Sequence, residues 1–449
     1  MIWILLFLLI AFDILLFIFF DRNILSPSVL AVSMFVLSTF VACLNIETWK
    51  FHISSYTVVM IMTSLIALGA GEFVVRLFYY KRIQSKNNYI PLESIKLSNK
   101  MVLFISMVMS FLCFHYLNEL MRLAIAAGYS KNAGLLFVAY VRIASLKPEV
   151  YGRIDRLAGW SCTFAEVFAY IFLYIVCFNK IFFNKFNLLY LLPIITYLPY
   201  TIFSGGRTEF IYIIAFIIVV GGTFYLQKNR WRGKSMFKIL KAGILGIILF
   251  FCIFIAIGSL KNSIFIKKAF STISFYTGMS IPSLDDYFLN PRPKGEYFGE
   301  HVLFGIYKFL KVFDNSIPQF YAPYDFVDFN GTKGNVYTVI RRYHQDFGLF
   351  GLYILMFFLG LFYGFFYLWV NKKQSFCLLV YGTIIAPIIE ASIEERFFMS
   401  IISHSRIAVI MFLYFGFVFF TNKKFRQSFS IIFAPVKDKR QNISASETL

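Results

Sequence analysis

The chain has 449 residues, 59% of them hydrophobic, with 58 Phe and 28 Tyr. That composition excludes a water-soluble globular domain and points to an all-α polytopic membrane protein. The formal charge is +20, but the lysines and arginines cluster in short loops between apolar runs. Such a pattern reports membrane topology, so membrane lipids are expected around the chain and no nucleic-acid partner.

A membrane span needs about 20 apolar residues. In chain order the predicted spans are 2–20, 27–44, 57–80, 101–123, 158–178, 188–203, 209–226, 239–258, 349–370, 376–391 and 403–421. That is about 11 transmembrane helices, within a range of 10–12. The first 20 residues lack a basic leader and a small-residue cleavage site, so they read as a retained helix. The six cysteines fall inside apolar runs, without disulfide or metal-site spacing, and read as small core residues.

Basic loops fix the expected orientation. Lys81–Lys100, Gln227–Lys241 and the tail from Lys423 fall on one side by alternation, which should be cytoplasmic. Arg230 and the C-terminus are therefore expected inside, and Gly206 and Tyr321 outside. The outer side receives residues 126–157, the Gly205-Gly206-Arg207 turn, one long loop and Glu394-Glu395-Arg396. The resulting organisation is 1–258 with eight spans, 259–348 as a large periplasmic loop, 349–421 with three spans, and 422–449 as a basic cytoplasmic tail. Within the loop, residues 300–313 place Val302, Ile306, Phe309, Leu310 and Phe313 on one helical face and predict an amphipathic surface helix.

Two segments carry the chemistry-bearing residues. The first is Ser204-Gly205-Gly206-Arg207-Thr208-Glu209, at the start of a span. A helix N-terminus beside an arginine suits an anion, and glycines let a head group approach the backbone. The plainer alternative is Thr208 as a cap and Arg207 as an interfacial anchor. The second is NVYTVIRRYHQDFGLFG, residues 335–351. As a helix it puts Arg341 and His344 on one face and Arg342 and Asp346, at i,i+4, on another. A salt bridge between Arg342 and Asp346, and His344 as a polar residue under an aromatic lid, are the plainer readings. Gly360 and Gly364 read as close helix packing, and Glu72 with Arg76 as a structural pair. Arg142, Arg153, Arg156, Asp285, Asp286 and Glu394–Arg396 add charge on the outer side. Arginine predominates there, and guanidinium suits bidentate binding of phosphate or pyrophosphate. No HxxxH, HExxH or DxD occurs, so no metal or other cofactor is expected.

SGGRTEFIYIIAF, then FYTGMSIPSLDDYF, then NGTKGNVYTVIRRYHQDFGLFGLYILMFFLG together resemble the O-antigen polymerase (Wzy) group of oligosaccharide repeat unit polymerases. Asn335-Val336-Tyr337-Thr338, Arg341, Asp346-Phe347-Gly348 and Gly351 follow that group's pattern, and the layout matches over about the whole chain. His344 departs from it, since relatives often carry an aromatic there.

The resemblance implies a GT-C-like glycosyltransferase in the bacterial inner membrane. It would act at the periplasmic face on undecaprenyl-pyrophosphate-linked oligosaccharide, with a chain-length regulator as a candidate partner. It implies a pyrophosphate and glycan site drawn from Arg207, Gly205, Gly206, Arg341, Arg342, Arg142, Tyr337 and Tyr343. Asp346, Glu209 and His344 are the candidate general bases. Two alternatives stay open: an O-antigen ligase, and a polysaccharide transporter or flippase, for which inverted repeats and broken helices near the midplane would be expected.

Overall fold

The computed structural model describes residues 1–422 except 84–92, 131–133, 135, 206–207, 230, 232, 262–268, 312, 319–324, 372–374 and 402–403. Gly206, Arg207, Arg230, Tyr321 and the basic tail from Lys423 thus lie outside the described residues.

Among the described residues the architecture is helical apart from one two-stranded hairpin. The principal elements are α1 (Ile2–Phe19), α2 (Pro27–Leu44), α3 (Ser55–Ile83), α4 (Asn99–Ala126), α5 (Phe137–Leu146) and α6 (Arg156–Phe183). They continue with α7 (Leu192–Phe203), α8 (Thr208–Lys228), α9 (Gly233–Lys261), α10 (Ala269–Gly278), α11 (Ser280–Leu289) and α12 (Phe304–Leu310). Strands β1 (Val327–Phe329) and β2 (Thr332–Gly334) form the antiparallel hairpin, with Asp328 opposite Lys333. Then come α13 (Val339–Asn371), α14 (Ser375–Ile384) and α15 (His404–Thr421).

Among the described residues eight helices are long and apolar enough to cross a membrane. The chain is therefore a multi-pass helical membrane protein by the length and composition of its helices. The three remaining expected spans are shorter apolar helices, at Leu188–Phe203, Phe376–Ser392 and Arg406–Thr421. Large side chains on α1 (Trp3, Phe7, Ile14) and α9 (Phe237, Leu245, Ile248) are exposed, as lipid-facing surfaces require.

Tertiary carboxylates cap the helix ends. The α2 N-terminus carries Pro27 at its start and has no cap from its own side chains. Glu72 of α3 supplies one instead, accepting from Ser28 N at 2.9 Å and Ser26 Oγ at 2.6 Å. Arg76 donates to the same carboxylate at 2.6 Å and lies over the Phe20 ring, so the expected pair is present. The α3 N-terminus is held in turn by Asp285 of α11, which accepts from Ser54 N, Ser54 Oγ and Thr57 Oγ1 at 2.6–2.9 Å.

Helices α3 and α13 touch backbone to backbone. A Cβ on Gly360 would overlap the Leu68 carbonyl oxygen and stand 2.9 Å from Glu72 N, while one on Gly364 would stand 3.2 Å from Glu72 Cα. These glycines pack, as their spacing suggests. Gly360→Ala is expected to lower the melting temperature in detergent, because the crossing must open by about 1–3 kcal/mol of overpacking. Gly243→Ala is the control, since a Cβ there meets nothing within 4 Å; equal melting temperatures for both variants would contradict the close approach.

The long loop differs from expectation in one respect. Of residues 300–313 only Phe304–Leu310 is helix, and a Cβ on Gly305 would meet the Phe398 and Met399 carbonyls at 2.7 and 2.8 Å. Val302 is buried, whereas Leu310 and Phe313 are exposed. The segment packs down on the 397–401 turn through a glycine, so its apolar residues do not form one continuous face.

Candidate functional site

Helix α13 is two helices in sequence. Gly348 interrupts it with φ 67° and ψ −165°, a conformation that favours glycine. The piece before it carries Arg341 to Phe347, and the apolar span follows from Leu349. The break lets a polar helix enter the bundle at an angle of its own.

Arg341 is 3% exposed. Its guanidinium lies 3.9 Å from the Tyr337 ring centroid and 5.7 Å from that of Tyr287, and it forms an ion pair with Asp325. Its Nε has no hydrogen-bond partner. His344 shares this face as expected: its Nδ1 is 2.9 Å from the Tyr287 hydroxyl, and its ring stands edge-on to Phe288. The aromatic-lid reading of His344 describes these contacts. Tyr337 is the stacking partner of Arg341, and Tyr343 is fully buried, donating to Glu395 Oε1 at 3.3 Å.

The expected salt bridge between Arg342 and Asp346 is not formed. Arg342 reaches Glu394 at 3.7 Å. Asp346 Oδ2 instead accepts the backbone N–H groups of His301 and Val302 at 2.9 and 2.8 Å. Two adjacent backbone donors outcompete a guanidinium that has another carboxylate within reach. Asp346 thus pins the 301–302 turn to α13. Burial pulls the His301 imidazole below its ordinary value, against the pull of the Asp346 carboxylate. His301 was invisible as a site residue because its partner lies 45 positions away.

This arrangement separates two roles for Asp346. Asp346→Ala should free the 301–302 turn, read as faster backbone hydrogen exchange over 297–303, at a cost of about 1.5–3 kcal/mol for charge-assisted bonds. Asp346→Asn keeps an acceptor and should protect the turn nearly as well as the native residue. Asp346→Asn and Arg342→Gln should add without coupling. Strong coupling between them would mean that the two side chains do meet.

Glu394 joins the two sequence segments. Besides Arg342 it pairs with Arg396 at 2.7 Å. Arg396 is half-buried, and its partial burial works against its charge. Glu394, Glu390, Tyr212 and Glu209 outweigh that effect and hold the guanidinium protonated. Arg342, Glu394 and Arg396 therefore form a chain of ion pairs, and Glu209 at the start of α8 acts on Arg396 electrostatically. Glu209 is half-buried, with Thr208 Oγ1 3.4 Å from its carboxylate. Thr208 is the first residue of α8. Gly205 follows the end of α7 with φ +71°, the conformation of a glycine that terminates a helix.

The outer segments expected from the charge pattern meet at one end of the bundle. Glu394 and Glu395 contact α13 through Arg342 and Tyr343. Lys308 on α12 lies within electrostatic reach of Arg153, and Asp155 caps α6 by accepting from Ala158 N at 2.6 Å. Arg142 is exposed on α5 and is not brought into the Arg341–Arg396 network. Sequence reading missed a second, half-buried pair, Glu166 of α6 with Arg406 of α15 at 2.6 Å. Both residues sit singly in apolar runs, and only the packing of α6 on α15 unites them.

Comparison with family models, with curated proteins and with solved structures finds no match to this chain.

Proposed function

We propose that the chain is a GT-C-like membrane glycosyltransferase that polymerises undecaprenyl-pyrophosphate-linked oligosaccharide repeat units at the periplasmic face of the inner membrane. The observation that carries this reading is a pair of adjacent buried arginines, Arg341 and Arg342, at the head of a membrane helix, with Arg342 linked through Glu394 to Arg396. Buried cationic groups in a membrane protein are costly and belong to function by default. In the reaction, an acceptor hydroxyl attacks C1 of the growing glycan. The C1–O bond to pyrophosphate breaks, and fixed guanidinium groups stabilise the charge that develops on the leaving group. The lipid tails stay in the bilayer, and the sugars lie under the 259–348 segment.

The test is elongation of purified lipid-linked repeat unit in proteoliposomes, together with the surface glycan of a deletion strain. Polymerase loss should leave single repeat units on the lipid A core. Bare core with accumulated lipid-linked glycan would make the protein a ligase. One observation favours a transporter: the apolar helix over Phe376–Ser392 is broken at Ile385, two residues before Pro387 and close to buried Glu390. Units trapped on the cytoplasmic side in the deletion strain would support that second reading.

A further inference from the structure

Among the described residues four carboxylates are buried: Glu72, Asp285, Glu390 and Glu395. Three of them are fully engaged. Glu72 caps α2 and binds Arg76, and Asp285 caps α3. Glu395 accepts from Phe398 N, Met399 N and the Tyr343 hydroxyl at 2.8–3.3 Å. Glu390 differs. It is 4% exposed, and neither carboxylate oxygen has a hydrogen-bond partner. An unpartnered buried carboxyl is costly and demands an account.

Its surroundings supply one. Glu390 begins the turn that leads to Glu394 and Arg396, and this turn is tied to α2 by Ser38 Oγ and Ser392 Oγ at 3.1 Å. The charges acting on it are those of Arg396, Glu394 and Glu209. It therefore stands where the Glu209 segment and the Arg342 network converge. Of the other acids of that network, Glu394 takes two arginines and Asp325 takes Arg341, Asp346 takes two backbone donors on Oδ2 while its Oδ1 lacks a partner, and half-buried Glu209 has the Thr208 hydroxyl at 3.4 Å; Glu390 alone among them is buried with neither oxygen engaged.

We propose that Glu390 is the catalytic base that takes the proton from the acceptor sugar hydroxyl. This role rests on the polymerase reading above. The acceptor O–H bond breaks and its proton passes to a Glu390 oxygen. The acceptor oxygen bonds to C1 of the donor glycan, and the C1–O bond to phosphate breaks with its electron pair leaving on pyrophosphate. The proton is later lost to water. The acceptor must displace the packing over Glu390 as it binds, and its hydroxyl then provides the hydrogen bond that the carboxyl otherwise lacks.

The experiment compares Glu390→Gln, Glu390→Asp and Glu209→Gln with the wild-type protein in proteoliposomes at matched folded amounts. Elongation of lipid-linked repeat unit and its binding are measured separately. Glu390→Gln should bind substrate normally and elongate about 100-fold more slowly or worse. Glu390→Asp should lose about tenfold or more, because the base is withdrawn by one methylene, and it carries the test if the Gln variant does not accumulate. Near-native elongation by either Glu390 variant overturns the proposal, as does loss confined to Glu209→Gln. Wild-type protein that binds but elongates nothing overturns the polymerase reading, and the role of Glu390 with it.

Discussion

Arg341→Lys should slow elongation by about 100-fold or more, close to the loss in Arg341→Ala, with both proteins inserted at native levels. Removal of one preorganised donor to a developing oxyanion costs that much in other enzymes. The native guanidinium lies over the Tyr337 ring at 3.9 Å and is paired with Asp325, with Nε still unpartnered. An ammonium keeps the charge but cannot stack as a plane or offer a fork of donors. Rates would be compared in proteoliposomes with lipid-linked repeat unit, beside Asp325→Asn. If Arg341 served only to hold Asp325 in place, Asp325→Asn would match Arg341→Ala. Native elongation by the lysine variant would remove Arg341 from the pyrophosphate site and leave Arg342 and Arg207 to fill it.

The second large effect concerns folding. Glu72→Ala should destabilise the protein by about 3–5 kcal/mol, the cost of breaking a buried ion pair on one side. Glu72 is fully buried and receives donors from Ser26, Ser28 and Arg76. Its loss uncaps α2, strands the Arg76 guanidinium, and loosens the place where Gly364 packs against α3. Thermal unfolding in detergent reads the change, and yield falls with it. Adding Arg76→Leu should recover part of the loss, because the stranded cation is then gone. A single variant that melts within about a degree of wild type would show that α2 does not depend on this carboxylate.

The local features of the fold were legible. Long apolar runs in a medium without water can only be helices, because every backbone group must bond within its own segment. Gly360 and Gly364 announced close packing, and Glu72 with Arg76, one turn apart, pair as their spacing permits. The polar start of α13 was equally readable, including the face that Arg341 shares with His344. The sequence could not assign partners to charges whose partners lie far along the chain. Asp346 is one turn from Arg342 in sequence, yet it binds the 301–302 backbone, while Arg342 takes Glu394.

By itself, then, the sequence determined the membrane class, the helical spans and the segments where polar groups gather, because these depend on local composition and a fixed helical period. Only the tertiary structure decided which carboxylates are occupied and which is not. It joined the 394–396 turn to α13 through Glu394 and Arg342, paired Glu166 with Arg406, and left Glu390 buried with both oxygens unpartnered. A buried charge takes whichever donor packing brings within reach, and that choice depends on how distant helices cross.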